Sequence, residues 1–146
     1  MYTAIVVGSN GSATSREAVA HAAALASVTG ATLHIVHAYV LPSRAAMAAP
    51  EMAVLTAGGD VEAVDAATAL AEQLADEAKA AGASDVRTHA VAGSAAEALC
   101  AVAVSTGADV VVVGNKGMKG TGRILGSVPN KVAHKAPCAV LIVPTC

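Results

Sequence analysis

The 146 residues are 55% apolar and carry a net charge of −2, which points to one domain spanning 1–146 and large enough to bury a core. No run approaches the roughly 20 apolar residues that a membrane span needs, and the N-terminus lacks a basic region followed by an apolar one, so a soluble cytoplasmic protein is expected, without a membrane partner. The three cysteines, Cys100, Cys138 and Cys146, are odd in number and lack CxxC spacing, so neither a disulfide framework nor a zinc site is suggested. Cys100 and Cys138 read instead as small buried hydrophobes. Phe and Trp are absent and Tyr2 and Tyr39 are the only aromatics, so the core must come from Leu, Ile and Val strands with Ala-rich helices. Nucleic-acid binding is not expected from so few stacking residues.

In chain order, residues 3–8 read as a first strand and Gly8-Ser9-Asn10-Gly11-Ser12 as its turn, where glycines let the backbone approach a ligand. The turn matches neither a dinucleotide fingerprint nor a Walker loop. Thr14 with Glu17 has capping-box spacing, opening a helix to about Val28 with Ala18, Val19, Ala22, Leu25 and Ala26 on its apolar stripe, and Gly30 ends it. Residues 31–40 form a second strand. His34 and His37 within it point to opposite faces and cannot share a metal, so both read as structural. His21, His89 and His134 are scattered, with no carboxylate at dyad spacing.

Residues 41–59, with Pro42, Pro50, Gly58 and Gly59, lack a clear period. They read either as a flap near a pocket, with Met47 and Met52 as adaptable contacts, or as an ordered excursion with extra helical turn. Asp60 is then placed to cap a helix to about Ala81, with Val61, Val64, Ala67, Leu70 and Leu74 inward and Glu62, Asp65, Glu72, Asp76 and Glu77 on a solvated face. Residues 86–92 alternate as an edge strand would. Ser94 and Glu97 make a second capping box, and its helix runs to about Ser105, where Gly107 stops it. After residues 127–135, a last helix, the strand from Cys138 to Val143 completes an α/β chain whose alternation implies right-handed crossovers and a parallel sheet with helices on both faces. That last strand is apolar on both faces, and an uncovered edge of this kind predicts a homodimer through Cys138–Val143.

Function is concentrated between Val110 and Lys131. Val110 to Val113 reads as a strand buried on both faces that stops at a turn carrying Gly114, Gly117, Gly120, Gly122 and Gly126. Open α/β sheets bind ligands at such carboxyl ends. Glycines there can take φ > 0 and lie against a ligand, Ser127 can cap the following helix, and Pro129 suits its first turn. A glycine loop feeding a helix N-terminus offers unpaired N–H groups and partial positive charge to a phosphate. Of the nine Lys and Arg residues, five (Lys116, Lys119, Arg123, Lys131 and Lys135) lie between 116 and 135, and no Asp or Glu follows Asp109. The last quarter of the chain therefore suits an anion.

The pattern Gly114-x2-Gly117 … Gly126-Ser127 behind a Val-rich strand, with Ser127-Val-Pro-Asn-Lys-Val and Ala136-Pro-Cys-Ala-Val-Leu-Ile-Val-Pro144 after it and Ile5-Val-Val-Gly8-Ser-Asn-Gly11-Ser12 at the start, resembles the universal stress protein family in its nucleotide-binding branch. The likeness covers essentially the whole chain. It implies five strands in the order 3-2-1-4-5 and an adenine nucleotide, ATP or cyclic AMP, in a stress-response regulator. It places phosphate on Gly114, Asn115, Lys116, Gly117, Met118, Lys119, Gly120, Gly126, Ser127 and Val128, and base and ribose beside Gly8, Asn10 and Ala38. Two departures stand out: the eight residues between Gly117 and Gly126 are one fewer than usual in the family, and Asn10 replaces the usual acid. Mg²⁺ with ATP would rest on phosphate oxygens and water, since no acidic cluster lies near the loop. Slow ATP hydrolysis is one alternative, opposed by the lack of a base, because Asp109 falls at the wrong end of the sheet. A dimeric interaction protein without nucleotide is the other.

Overall fold

The computed structural model describes residues 1–39, 50–116 and 125–145, the side chains of 50–63 excepted. Strands β1 (Ala4–Gly8), β2 (Thr32–Tyr39), β3 (Asp85–Ala92), β4 (Val110–Asn115) and β5 (Ala139–Pro144) form one parallel sheet in the order β3-β2-β1-β4-β5. Helices α1 (Ala13–Thr29), α2 (Pro50–Ala80), α3 (Ala95–Thr106) and α4 (Ser127–Lys135) cover it. The expected α/β sheet and its strand order are thus present. No helix among the described residues is long and apolar enough to cross a membrane.

Alternation along the central strands divides the core into two layers. Ile5, Val7, Leu33, Ile35, Val110 and Val112 pack with Ala18, Ala22 and Ala26 of α1 and Leu74 and Ala78 of α2. Val6, Val36, Val111 and Val113 face the other way, onto Leu99, Val102 and Ala103 of α3 and Val132 of α4. Alanine on the inward helix faces keeps the layers close, and the branched strand residues supply the area, each worth about 1.5–3 kcal/mol when fully buried. Cys100 and Cys138 are only partly buried, and burial pushes both thiols upward from 9.0.

Helix ends follow the chain's punctuation with three corrections. Gly30 (φ 72°) and Gly107 (φ 62°) close α1 and α3 in the left-handed conformation, and the Ser94 hydroxyl accepts the Glu97 N–H at 3.3 Å, all as expected. The cap of α1, however, is Ser12 rather than Thr14: its hydroxyl accepts the Ser15 N–H at 3.2 Å, and Thr14 lies in the first turn. The helix expected to begin after Asp60 already starts at Pro50, so residue 60 lies inside α2 and not at its N-terminus. Proline suits a first turn, the alanine-rich stretch favours helix, and Gly58 and Gly59 are absorbed at about 1 kcal/mol each relative to alanine. Met47 and the rest of the postulated flap up to Ala49 lie outside the described residues, as does the side chain of Met52. The third correction, at α4, belongs to the site.

At the amino edge of the sheet the Asp109 carboxylate accepts the backbone N–H groups of Thr3 (2.7 Å) and Ala4 (3.0 Å) and the Thr3 hydroxyl (3.0 Å). The Thr3 amide above all, then the other two donors, hold its carboxyl below the ordinary 3.8. Asp109 is therefore a brace between β1 and β4, far from the carboxyl edge where a ligand would react.

Across β2 and β3, His34 Nδ1 and His89 Nε2 are 2.9 Å apart. One ring donates to the other, and the pair is stable only while an acceptor nitrogen remains. Burial, then the neighbouring His89 and Arg87, lower His34 from 6.5, against a smaller opposite pull from Asp85; burial and Arg87 lower His89. The unfolded chain takes up these protons near pH 6.5 while the folded chain still refuses them, so stability falls as pH drops below that value. Urea midpoints at pH 7.5 and 5.5 are expected to show this decline, and to show less of it in His89→Gln. Equal pH slopes for wild type and variant would contradict it.

Candidate functional site

The carboxyl ends of β1, β2 and β4 open onto a cleft of about 210 Å³. Its lining is in part apolar, from Val36 and Ala38 of β2, Leu99 of α3 and Val113 of β4, and in part polar, from Ser9, Asn10, Ser12, Thr14, Ser15, Lys116 and Thr145. A second, more open hollow of about 400 Å³ shares Thr14, Gly114, Lys116 and Val128 with the first and is lined besides by Asn115, Gly126, Ser127 and Pro129. A lining that mixes apolar and polar groups suits a ligand that carries both kinds of surface.

The β1 turn is built from its own side chains. Ser9 N–H donates to Val36 O (3.0 Å), Gly11 N–H to the Ser9 hydroxyl (3.2 Å) and Ser12 N–H to Asn10 Oδ1 (3.0 Å). His37 Nδ1 donates to the Ser9 carbonyl at 2.7 Å, fixing the turn against β2. Gly11 holds φ +80°, and a Cβ there would stand 3.0 Å from Leu70 Cδ2, so the turn requires glycine at this position. The Ser9 and Ser15 hydroxyls are 3.1 Å apart and those of Ser12 and Thr14 3.0 Å, a hydroxyl cluster that sequence inspection passed over. Its signal was available in the run Ser9-Asn-Gly-Ser-Ala-Thr-Ser15.

At the other strand end, Gly114 and Gly126 are glycine for room and not for backbone hand: neither has positive φ. A Cβ on Gly114 would lie 3.3 Å from both the Thr14 carbonyl and Thr145 Cγ2, and one on Gly126 would lie 3.0 Å from Asn115 Oδ1. The expected cap of α4 at Ser127 is corrected: Gly126 occupies the cap position, no side chain caps the helix, and Ser127 is its exposed first residue. The reason is a long-range one, for Asn115 Oδ1 accepts the Gly126 N–H at 2.8 Å and so fixes where the helix begins. Asn130 N–H returns to Gly126 O (3.1 Å) and Pro129 has no N–H, which leaves the Ser127 and Val128 amides as the uncapped donors at the positive end of the helix dipole.

Of the residues singled out beforehand, Gly8, Asn10, Ala38, Gly114, Lys116 and Val128 line the first cleft, and Asn115, Gly126 and Ser127 join Gly114, Lys116 and Val128 around the second. Gly117, Met118, Lys119 and Gly120 lie outside the described residues, with Gly122 and Arg123. Sequence inspection missed Val36, Leu99, Val113 and Thr145, which only the folded sheet brings to this edge.

A profile of the Universal stress protein family matches residues 1–144. The chain belongs to that family. Among curated relatives, universal stress protein Rv1636 of Mycobacterium tuberculosis is 36% identical over 149 residues, covering 99% of this chain and 97% of its own. Among solved structures, a universal stress protein crystallised in complex with cAMP is 36% identical with a TM-score of 0.75, covering 99% of this chain and 98% of its own. UspA from Lactobacillus plantarum, at 20% identity and a TM-score of 0.79 over 97% of both chains, shows the shared fold. In this universal stress protein, then, the cleft sits at the sheet edge where the parallel order of strands leaves β1 and β4 to part their connections.

Proposed function

We propose that this universal stress protein is a regulatory module that binds an adenine nucleotide, with cyclic AMP favoured over ATP. The observation that carries the reading is the uncapped first turn of α4, where Ser127 and Val128 line the hollow that adjoins a cleft of mixed apolar and polar lining. The base would lie against Ala38, Val36 and Leu99, with Gly8 and Asn10 bordering base and ribose. The phosphate would take the Ser127 and Val128 amides and Lys116, beside Gly114, Asn115 and Gly126, and Gly117 to Gly120 would continue the cradle. The 36% identical relative that binds cAMP favours the same ligand class here. Among the described residues no cluster of three or more His, Cys, Asp or Glu side chains could hold a metal, so Mg²⁺ accompanying a triphosphate would rest on phosphate oxygens and water.

Calorimetric titration with cyclic AMP, AMP, ADP and ATP tests this. Saturable binding of cyclic AMP or ATP without phosphate release is the expected result. Silence across the panel removes the nucleotide reading, and phosphate release above background replaces the module with an enzyme.

We also propose that the protein dimerises through β5. Among the described residues this strand pairs only with β4, and Leu141 on it is 41% exposed beside half-buried Val140 and Ile142. An apolar edge of this kind is a template for a second copy. Sedimentation at micromolar concentration should give twice the chain mass, and Leu141→Lys should return it to the monomer; a monomeric wild type overturns the proposal.

A further inference from the structure

Thr145 follows β5 beside the end of β4, its N–H donating to the Asn115 carbonyl at 3.0 Å. The residue is fully buried, its Cγ2 covers Gly114, and it forms part of the wall of the cleft beside Thr14 and Lys116. Its hydroxyl has no hydrogen-bond partner and is the one buried side-chain oxygen or nitrogen left so among the described residues. The neighbouring hydroxyls differ: Ser9 and Ser15 pair at 3.1 Å, Ser12 and Thr14 at 3.0 Å, and Ser15 also donates to the Ser12 carbonyl at 2.9 Å. Buried hydroxyls are almost always paired, and a valine would fill the same volume without the cost of an unmade bond.

We propose that the Thr145 hydroxyl is a ligand contact, donating to a phosphate oxygen of the bound nucleotide. The phosphate is preferred to the sugar because Thr145 lies against Gly114, which together with Thr14 and Lys116 also lines the hollow at the first turn of α4. Thr145 would thus complete the phosphate cradle from β5, opposite the donors of α4. The assignment rests on the nucleotide reading above.

The test compares wild type, Thr145→Val and Thr145→Ser in titrations with cyclic AMP and adenosine, alongside thermal unfolding without ligand. Thr145→Val is expected to unfold no earlier than wild type, to bind cyclic AMP roughly tenfold more weakly, as for a lost hydrogen bond to a charged group, and to bind adenosine unchanged. Thr145→Ser should keep cyclic AMP affinity within about twofold, since it keeps the hydroxyl donor. Wild type that binds cyclic AMP with Thr145→Val equal to it removes this contact and leaves the nucleotide reading intact. Wild type that binds neither cyclic AMP nor ATP removes both. Loss of adenosine binding by Thr145→Val moves the contact to the sugar and overturns the phosphate assignment, and earlier unfolding of the unliganded variant shows that the hydroxyl serves the fold.

Discussion

Ser127→Asp is expected to make the protein slightly more stable while nearly abolishing nucleotide binding. The position is exposed and is the first residue of α4, so a carboxylate there meets the positive end of the helix dipole and uncapped amides, a gain of about 0.3–1 kcal/mol. The same carboxylate occupies the place proposed for phosphate. Two like charges about 5 Å apart at an effective dielectric near 20 repel by about 3 kcal/mol, which is a loss of affinity on the order of a hundredfold. Urea unfolding and calorimetry on one preparation read both effects. Opposite signs for stability and affinity are the informative outcome, because ordinary damage to the fold lowers both. Equal affinity in Ser127→Asp would place the phosphate away from α4.

Gly114→Val should lower both quantities, and for a different reason. A Cβ at this position already stands 3.3 Å from the Thr14 carbonyl and from Thr145 Cγ2, and 3.5 Å from Ala18 Cβ. The two further methyls of valine have no room there, so the start of α1 must move off β4, at about 1–3 kcal/mol for overpacking. That movement displaces Thr14, which lines the cleft with Gly114 and Thr145, and a loss of at least roughly tenfold in affinity is expected, the equivalent of about 1.4 kcal/mol. Gly114→Ala should fall between wild type and valine. A fully stable Gly114→Val would mean that α1 and β4 are not packed as tightly as the distances require.

Much of the architecture was legible because local and global signals agreed. Val110 to Val113 is apolar at every position because both faces of β4 are covered, and Gly30, Ser94 and Gly107 each sit where a helix end needs that residue. The failures have a common origin in contacts between residues distant in the chain, or in a choice among equivalent neighbours. Ser12, Thr14 and Ser15 can all cap a helix, and what selects Ser12 is the left-handed Gly11 before it. Gly58 and Gly59 read as an interruption, yet the helix from Pro50 runs through them. Ser127 was a reasonable cap until Asn115, lying on the preceding strand, took the Gly126 amide. His34 and His89 meet only because the β2–β3 register sets Val36 beside His89. At the site, the glycines correctly marked a place of close approach. Their physical reason is crowding by α1 and Asn115 at Gly114 and Gly126, and positive φ falls on Gly11 instead.

The most direct measurement is a titration of ¹⁵N-labelled protein with cyclic AMP, followed by the amide resonances of each residue. The Ser127 and Val128 signals should shift most and saturate together with those of Gly8 and Gly114, while Thr3 and Ala4, braced by Asp109 at the opposite edge of the sheet, stay in place. Saturable binding that leaves Ser127 and Val128 unmoved would show that the phosphate is not held by the first turn of α4.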